Sequence, residues 1–358
     1  MERTDLVIVG AGPLGLELAA AVRRAGLDYL HFEAGQIGST IAWWPPRTRF
    51  FSAPERVAIA GVPLHTPGQD RPLGEDYLAY LRQVVEQLDL PVRTYERVTD
   101  LRPTDDGFRL TTVNRTGSHA VCCRRVVIAT GDMARPNKLG IPGEDLPHVS
   151  HYLSDPHLYF RQRLLVVGGG NSALEAVLRC WRAGARVTLS YRRETLQPRQ
   201  IKSWLAPEVM MLIEKGKVEF LPATRPVAIE ATEVRLAPHP TDSANANHLR
   251  RPADFVLLMT GYRADLTLLQ GAGVELQGEQ EVPRHDPQTM ETNVPGLYVA
   301  GTVAGGNQHD YQLFIETCHV HVERIAAALG LERPATGGEE SRNYPFQLGD
   351  NEPKGWQP

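Results

Sequence analysis

The residues best placed to do chemistry lie in two glycine-rich segments with the spacing that binds a dinucleotide. The first follows a short apolar run and precedes a longer apolar-periodic one, and it reads Gly10-Ala11-Gly12-Pro13-Leu14-Gly15. Between a strand and a helix, the first glycine permits a tight turn, the second lets backbone approach a pyrophosphate, and the third lets the helix pack on the strand. The N–H groups that begin the helix and the positive end of its dipole then face the phosphates.

An acidic residue supports this interpretation. Glu33 stands at the end of the next apolar run, about 20 residues after the middle glycine, where a carboxylate accepts hydrogen bonds from an adenosine ribose. A glycine-rich turn without a ligand is the alternative. Because the strand, the helix and the acid all agree, we expect a nucleotide here.

The second segment, Gly168-Gly169-Gly170-Asn171-Ser172-Ala173, has alanine in place of the third glycine, which the fingerprint tolerates. No acid follows the next strand. Arg192 and Arg193 stand there instead, and guanidinium groups pair bidentately with phosphate, so a ribose 2′-phosphate fits better than a 2′-hydroxyl. The sequence therefore predicts NADPH rather than NADH, with two solvated surface arginines as the alternative.

Two βαβ units position these segments, and each is followed by a stretch typical of a β-meander. Together they predict an α/β protein. The predicted elements are a strand over 6–9, a helix from Leu14 to Ala25, a strand over 29–33, a meander over 93–128, a strand over 164–167, a helix from Ser172 to Ala183, a strand over 186–190, and a meander over 218–259 with a turn near Asp242-Ser243.

Composition limits the class of protein. With 358 residues, 42% of them hydrophobic, the chain can fill two domain cores. A formal net charge of −4 and a pI near 6.3 argue against a nucleic-acid partner or an anionic membrane surface. A charged start without a signal-peptide pattern, and the lack of any run of about 18 apolar residues, predict a soluble, cytoplasmic protein. Only four cysteines occur, which fits a reducing compartment, and no residue pattern predicts a metal site.

In chain order the motifs form a set that is more specific than any one of them. Besides the two glycine-rich segments, it contains Ile128-Ala129-Thr130-Gly131, Met259-Thr260-Gly261-Tyr262 and Val299-Ala300-Gly301-Thr302. This set resembles the thioredoxin reductase-like, low-molecular-weight branch of the pyridine nucleotide-disulfide oxidoreductases, over roughly residues 5–330.

The resemblance implies two Rossmann-like domains, with an NADPH-binding domain inserted in a discontinuous FAD-binding domain. The FAD domain would comprise residues 1–131 and 260–335, the NADPH domain 132–259, and the remainder, 336–358, a C-terminal tail. A homodimer and a small-molecule or small-protein electron acceptor are further expectations. The implied cofactor contacts are the first glycine-rich segment, Glu33, Thr130, Gly131, Gly301 and Thr302 for FAD, and the second segment, Arg192 and Arg193 for NADPH.

Two departures from the family pattern concern redox chemistry and the flavin. Thioredoxin reductases carry a Cys-x-x-Cys pair shortly after a Pro-Gly-Glu-Asp segment, whereas here Pro142-Gly143-Glu144-Asp145 leads to residues 149–155, which contain no thiol. The family's C-terminal Gly-Asp, whose aspartate holds the flavin ribityl chain, is Gly301-Thr302 here.

Within this branch the chain is most similar to the YpdA group of bacillithiol-disulfide reductases. The similarity rests on Phe50-Phe51-Ser52, on Ile201-Lys202-Ser203-Trp204 with Pro207, and on residues 300–306. That group carries a cysteine in the first glycine-rich loop, and the matching position here is Leu14. A disulfide reductase working through that thiol is therefore not predicted.

Other residues have a chemical and a structural interpretation. Cys318 lies on the helix that begins beside the flavin in these relatives, where His319 or His321 would lower the pKa of its thiol; burial as a small hydrophobic residue is the favoured alternative. One of His148, His151 and Tyr152, in the region where relatives carry the paired thiols, is a candidate proton donor, with surface or interdomain packing as the favoured alternative. The aromatic residues of segment 43–51 predict a wall over the flavin ring or a plain core cluster. The N–H groups of residues 307–311 are expected to stabilise negative charge on reduced flavin.

The leading hypothesis is an enzyme that passes electrons from NADPH through FAD to a disulfide or another acceptor, without a Cys-x-x-Cys centre. A flavin-dependent monooxygenase is the first alternative, on a faint likeness of residues 141–148 to that group's signature. A non-catalytic flavoprotein that senses NADPH or redox state is the second, because the paired thiols are missing.

Overall fold

The computed structural model describes residues 1–197, 201–240, 248–308 and 312–332. The chain divides into two compact units. Unit 1 comprises residues 1–42, 49–132 and the chain from 264 onward, and unit 2 comprises 43–48 and 133–263. The predicted α/β class, with one Rossmann-like domain inserted in another, is confirmed. The unit bounds differ most from the expected ones at residues 43–48, and the expected tail, 336–358, lies outside the described residues.

The regular elements follow the chain in this order: β1 Glu2–Val9, α1 Pro13–Arg24, β2 Tyr29–Phe32, α2 Ser39–Ala42, α3 Pro54–Val57, α4 Gly74–Gln87, β3 Val92–Arg93, β4 Arg97–Thr104, β5 Gly107–Asn114, β6 Gly117–Ile128, β7 Arg135–Pro136, β8 Val149–Ser150, β9 Arg163–Val167, α5 Asn171–Arg182, β10 Arg186–Ser190, α6 Leu205–Glu214, β11 Glu219–Leu221, β12 Thr224–Ile229, β13 Glu233–Pro238, β14 Leu249–Pro252, β15 Phe255–Leu258, β16 Tyr262–Arg263, α7 Thr267–Gly271, β17 Leu276–Gln277, β18 Val282–Pro283, β19 Leu297–Val299 and α8 Ile315–Ala328. Short 3-10 helices span Pro156–Tyr159 and Gly301–Gly305.

The main sheet of unit 1 has the strand order β3-β2-β1-β6-β5-β4, with β19 also paired to β6. β1 and β19 lie on either side of the end of β6, both parallel to it, and Val9 and Val299 both stand in register with Ile128. The three strands therefore end together at one edge. β4, β5 and β6 form the first predicted meander, antiparallel throughout.

Unit 2 is built on a five-stranded sheet of order β11-β10-β9-β15-β8, whose strands are all parallel. Strand β9 is apolar on both faces, and its alternate residues enter two separate buried clusters, Leu164 and Val166 in one and Leu165 and Val167 in the other. Such two-sided burial is typical of a parallel sheet covered on both faces.

The second predicted meander is only partly correct. β12, β13 and β14 form a small antiparallel sheet, but β11 and β15 join the parallel sheet instead. The buried run of β15 suits its interior position between β9 and β8, where both faces are covered, whereas β11 is a partly exposed strand at the edge, beside β10. The turn expected near Asp242-Ser243 lies outside the described residues. Among the described helices, none combines the length and apolarity that crossing a membrane requires.

Candidate cofactor sites

The first glycine-rich turn joins β1 to α1 with close contacts that leave no room for side chains at two positions. Gly10 has φ +105°, and a Cβ there would lie 2.5 Å from the Ala129 carbonyl oxygen. A Cβ on Gly15 would lie 1.9 Å from the Gly10 carbonyl oxygen. At Gly12, by contrast, a Cβ would meet open space. The turn is therefore tightly packed against the protein at Gly10 and Gly15 and open to solvent at Gly12, where the backbone could approach a ligand.

The start of α1 has donors that no side chain satisfies. Gly12 is the N-cap residue, no side chain caps the helix, and Pro13 occupies the first turn. The N–H groups of a first helical turn have no partner within their own helix, and together with the helix dipole they attract an anion. Leu14, where the YpdA group carries its cysteine, is buried, and a Cβ on Gly301 would lie 3.5 Å from it.

Glu33 follows β2 directly and is held in one orientation. Its Oε2 accepts a hydrogen bond from Ala11 N–H (2.8 Å), and its Oε1 accepts from Gly35 N–H (2.9 Å) and the Ser39 hydroxyl (3.2 Å). Since a carboxylate has about four acceptor positions, one remains for a further donor. The carboxylate is only 7% exposed, so a ribose hydroxyl would find it fixed in place.

The ends of β6 and β19 bring two further predicted contacts together in unit 1. A Cβ on Gly131 would lie 3.7 Å from Thr302 Oγ1. The Thr130 hydroxyl is buried and has no hydrogen-bond partner among the described residues. An unpartnered buried hydroxyl is costly, and a ligand at this edge would satisfy it.

Asp132 was not predicted from the sequence and lies at the centre of this edge. Its Oδ2 accepts a hydrogen bond from Gln308 Nε2 (2.9 Å), and the Thr302 hydroxyl also bonds to it. Gln308 Oε1 in turn accepts from Leu313 N–H (2.9 Å), just before α8. Burial raises the pKa of Asp132, although both hydrogen bonds lower it. The Thr302 hydroxyl therefore already donates a hydrogen bond to the Asp132 carboxylate. For the expected contact with the flavin, only the acceptor capacity of the hydroxyl remains.

The second glycine-rich turn joins β9 to α5 in unit 2. A Cβ on Gly168 would lie 2.3 Å from the Met259 carbonyl oxygen, and one on Gly169 would lie 2.4 Å from the Tyr191 ring. Gly170 is the N-cap of α5, faces open space, and no side chain caps the helix. This turn therefore repeats the plan of the first, with Ala173 fully buried where Gly15 stands in unit 1.

The other predicted residues of this site fall into two groups. The Asn171 side chain accepts a hydrogen bond from Lys202 N–H (2.7 Å), so it anchors the segment before α6, while Ser172 is exposed. Arg192 and Arg193 follow β10, are exposed, and form no ion pair with any described residue. Their backbone is fixed by the hydrogen bond from Ala223 N–H to the Arg193 carbonyl (3.1 Å). Two guanidinium groups are therefore available to an anion at the carboxyl end of β10.

The structure argues against Cys318 as a nucleophile and His319 as its activating base. The Cys318 thiol is 0% exposed, and burial raises its pKa to about 12. His319 contacts other groups: Nδ1 lies 2.7 Å from Glu17 Oε2, and Nε2 lies 3.0 Å from the Arg56 carbonyl oxygen. Burial lowers the pKa of His319, but Glu17 outweighs it and the net shift is upward. Since both partners accept, both imidazole nitrogens donate, and neither removes a proton from the thiol.

Tyr152 lies in an aromatic cluster of unit 2. Its ring centre is 5.0 Å from that of Trp43 and 5.8 Å from that of Tyr262. This packing explains why segment 43–48 belongs to unit 2. The aromatic residues expected to form one wall over the flavin therefore lie in different units, because the Phe50 ring packs on Tyr77 in unit 1, with ring centres 4.7 Å apart. Tyr152 remains partly exposed, so a proton-donor role stays a prediction.

Both turns fit an adenine dinucleotide. Each has an uncapped helix start, a middle glycine open to the front, and a polar or charged group at the end of the second strand. The sequence interpretation missed Asp132 and Glu17, and it missed the contacts of three side chains, those of Gln308, His31 and His321. Their contacts join positions up to 302 residues apart, and no local spacing indicates them. Of the residues 307–311 expected near the flavin, 309–311 lie outside the described residues.

Comparison with known proteins gives consistent matches over most of the chain. Residues 7–301 match the family model described as "Pyridine nucleotide-disulphide oxidoreductase". The bacilliredoxin reductase Bdr of Bacillus subtilis (strain 168) is 35% identical over 330 residues, covering 92% of this chain and 98% of the relative. A solved structure of the bacillithiol disulfide reductase Bdr (YpdA) from Bacillus cereus superimposes with a TM-score of 0.86 at 32% identity, covering 92% and 99% of the two chains. A ferredoxin–NADP reductase of Ignicoccus hospitalis is 25% identical over 305 residues, covering 84% of this chain and 90% of the relative.

Proposed function

The chain belongs to the pyridine nucleotide-disulphide oxidoreductase family, as its motifs predicted, and on that premise we propose that it is an FAD-dependent NADPH oxidoreductase working without a Cys-x-x-Cys centre. Members of the family use FAD and NAD(P)H, and FAD and NAD(P)H are therefore the cofactors of this chain. Bound FAD supplies a carrier that accepts two electrons from a nicotinamide and releases them to an acceptor.

One observation carries the proposal: each unit has an uncapped helix start behind a glycine turn, at the carboxyl ends of parallel strands. In α/β folds, ligands bind at those ends. We assign FAD to unit 1, because Glu33 offers a fixed acceptor for a ribose hydroxyl. We assign NADPH to unit 2, because Arg192 and Arg193 offer donors for a 2′-phosphate.

Different residues of the chain then bind different parts of the two cofactors. The first turns of α1 and α5 bind the two pyrophosphates through backbone N–H groups. Thr130 and Gly131 border the FAD site at the end of β6, with Gly301 and Thr302 beside them at the end of β19.

The acceptor is proposed to be a low-molecular-weight disulfide or a small electron-transfer protein, because the relatives are named for reductases of both kinds. For a disulfide the reaction balances: NADPH is oxidised to NADP⁺, the S–S bond takes two electrons and two protons, and two thiols form. One proton comes with the electrons from NADPH and the other from solvent. No protein thiol is needed, which agrees with the buried Cys318 and with Leu14 in the first loop.

For assembly we propose a homodimer, to be checked by light scattering.

The decisive experiment follows the flavin absorbance of the purified holoprotein under anaerobic conditions. NADPH should bleach the flavin band, and added disulfide or oxidised ferredoxin should restore it with turnover. A flavin that NADPH fails to reduce would overturn the proposal. Rapid reduction without turnover on any acceptor would favour the sensor alternative, and NADPH-dependent incorporation of oxygen into an organic substrate would favour the monooxygenase.

A further inference from the structure

A buried histidine stands behind the first glycine turn. His31 lies on β2, is 0% exposed, and its Nε2 is 2.9 Å from the Gly10 carbonyl oxygen. The same peptide unit donates its Ala11 N–H to Glu33. His31 and Glu33 are two residues apart along β2 and its end, so they project to the same face of the strand. Both polar ends of the Gly10-Ala11 peptide are thus held from one strand.

His31 is an energetically unfavourable residue for a core position that has no other role. Its Nδ1 is buried and has no hydrogen-bond partner among the described residues. A buried polar atom without a partner destabilises the fold, and a leucine of similar size would avoid that cost. Departures of this kind are expected at functional sites, where a contact matters more than stability. The contact that His31 makes is with the turn of the proposed FAD site.

A second buried histidine makes the complementary contact at the neighbouring edge position. His321 lies on α8, is 5% exposed, and its Nδ1 accepts a hydrogen bond from Gly301 N–H at 3.2 Å. Gly301 follows β19, while Gly10 follows β1, and both strands are parallel partners of β6. Both glycines have positive φ, +105° and +76°, so each marks a turn rather than a continuing strand.

We propose that His31 and His321 are positioning residues of the FAD site, each fixing one glycine-turn peptide at the carboxyl edge through a single hydrogen bond from a buried neutral imidazole. The proposal rests on the assignment of FAD to unit 1. It extends that assignment from the residues that would touch the cofactor to the side chains that orient them. His31 Nε2 also lies close to α1, since a Cβ on Gly15 would be 3.4 Å from it, an ordinary van der Waals distance.

The hydrogen bonds fix the tautomers. A carbonyl oxygen only accepts, so His31 must donate from Nε2, and a backbone N–H only donates, so His321 must accept at Nδ1. Both neutral rings therefore carry their proton on Nε2. Burial lowers the pKa of each to about 4, which agrees with neutral rings at physiological pH.

The test compares FAD dissociation constants, measured by flavin fluorescence on apoprotein refilled with FAD. Glutamine places an amide donor near Nε2 of a histidine, and asparagine places an acceptor near Nδ1. We expect His31→Leu and His321→Leu each to weaken FAD binding by about tenfold, the scale of one lost hydrogen bond in a buried site. His31→Gln and His321→Asn should bind within about threefold of the unchanged protein, since they keep the bond.

Controls separate positioning from loss of stability. Val22→Ala on α1 and Val322→Ala on α8 truncate fully buried side chains that contact no turn peptide through hydrogen bonds, so they should lower the melting temperature and leave FAD affinity unchanged. Glu33→Ala tests the site itself. Unchanged binding in Glu33→Ala would overturn the assignment of FAD to unit 1. Weakened binding there, with unchanged binding in both leucine variants, would overturn only the roles of the two histidines.

A second measurement is independent of affinity. Imidazole ¹⁵N chemical shifts of the holoprotein should show the Nε2–H tautomer at both positions. The Nδ1–H tautomer or a charged ring at either residue would contradict the hydrogen bonds that carry the proposal. Equal FAD binding by the leucine variants and their glutamine or asparagine counterparts would also overturn it.

Discussion

The glycine turns of the two units share a backbone plan and differ in the groups around it. In unit 1 the second strand ends at a buried acid, Glu33, and a histidine holds the turn from behind. In unit 2 the second strand ends at two exposed arginines, and the Tyr191 ring lies against Gly169. The shared part suits what two dinucleotides have in common, the pyrophosphate. The differing part suits what distinguishes them, a free ribose hydroxyl against a 2′-phosphate.

The two turns also differ in how tightly the helix approaches them. In unit 1 the position of the third glycine has no space for a methyl group, whereas unit 2 accommodates Ala173 there. Unit 1 therefore has a closer contact between helix and turn, with His31 filling the space behind. The comparison can be tested by exchanging these features one at a time.

The largest expected effect is that of Gly15→Ala, which gives unit 1 the residue that unit 2 carries. The new Cβ would lie 1.9 Å from the Gly10 carbonyl oxygen, so the turn or α1 must shift. We expect loss of bound FAD and a stability cost of about 1–3 kcal/mol from overpacking. The flavin-to-protein absorbance ratio and calorimetry measure the two effects.

Ala173→Gly is the matched control for that exchange. It should keep both cofactor sites and cost about 1 kcal/mol, the penalty of glycine within a helix. A Gly15→Ala protein with its full complement of FAD and an unchanged melting temperature would show that the two turns are equally tolerant.

The second prediction concerns pH and the histidines that only unit 1 places behind its turns. Burial first, and then the nearby Arg324 and His285, lower the pKa of His321 to about 4, against about 6.5 in an unfolded chain. Between these values the unfolded state binds more protons, so stability rises with pH from about 4 to about 6.5 and falls as the pH drops through that window. One such group contributes about 3 kcal/mol.

The measurement is the free energy of unfolding by denaturant at pH 4.5, 5.5, 6.5 and 7.5, in the unchanged protein and in His321→Asn. The variant should have a shallower dependence on pH below 6.5, because asparagine does not titrate. His319, whose pKa is raised, acts in the opposite direction in both proteins and cancels in the comparison. Parallel curves for the two proteins would contradict a buried neutral His321.

The third prediction tests the charge difference at the ends of the second strands. Replacing Arg192 and Arg193 together with alanine should raise the KM for NADPH by roughly ten- to a hundredfold, since a charge-assisted hydrogen bond contributes about 1.5–3 kcal/mol. The KM for NADH should not change. Arg186→Ala, at the opposite end of β10, is the control and should leave both values unaltered. An unchanged ratio of the two KM values in the double variant would refute the 2′-phosphate contact.

The sequence predicts the shared plan of the turns better than what surrounds them. The turns and α1 and α5 lie within one or two residues of their predicted positions, because strand, glycine spacing and helix periodicity are local signals. The contact of His321 with Gly301 and that of Gln308 with Asp132 depend on how distant segments pack, so no spacing reveals them. The second meander was partly wrong for the same reason, since whether an apolar strand pairs parallel or antiparallel depends on its neighbours in the sheet.

The smallest expected effect is that of removing the thiols, which tests whether any cysteine takes part in the reaction. Cys123 and Cys318 in unit 1 and Cys180 in unit 2 are buried, and burial raises the pKa of each to about 12. A thiol with such a pKa is a poor nucleophile near neutral pH, because the thiolate is the reactive form. Replacing all four cysteines with alanine, singly and together, should change the rate of flavin reduction by NADPH by less than about twofold, since transfer from nicotinamide to flavin uses no thiol.

Alanine is the better substitute here, because serine would bury a polar hydroxyl at three of the four positions, and burial of a polar group costs stability. Stopped-flow absorbance measures flavin reduction, and steady-state assays with a disulfide acceptor measure turnover. Both should survive wherever the protein still folds with its FAD. If Cys318→Ala alone abolished turnover while FAD content and flavin reduction stayed normal, a thiol would be part of the mechanism. The helix that carries Cys318 would then have to open for the acceptor, since its thiol is 0% exposed in the folded chain.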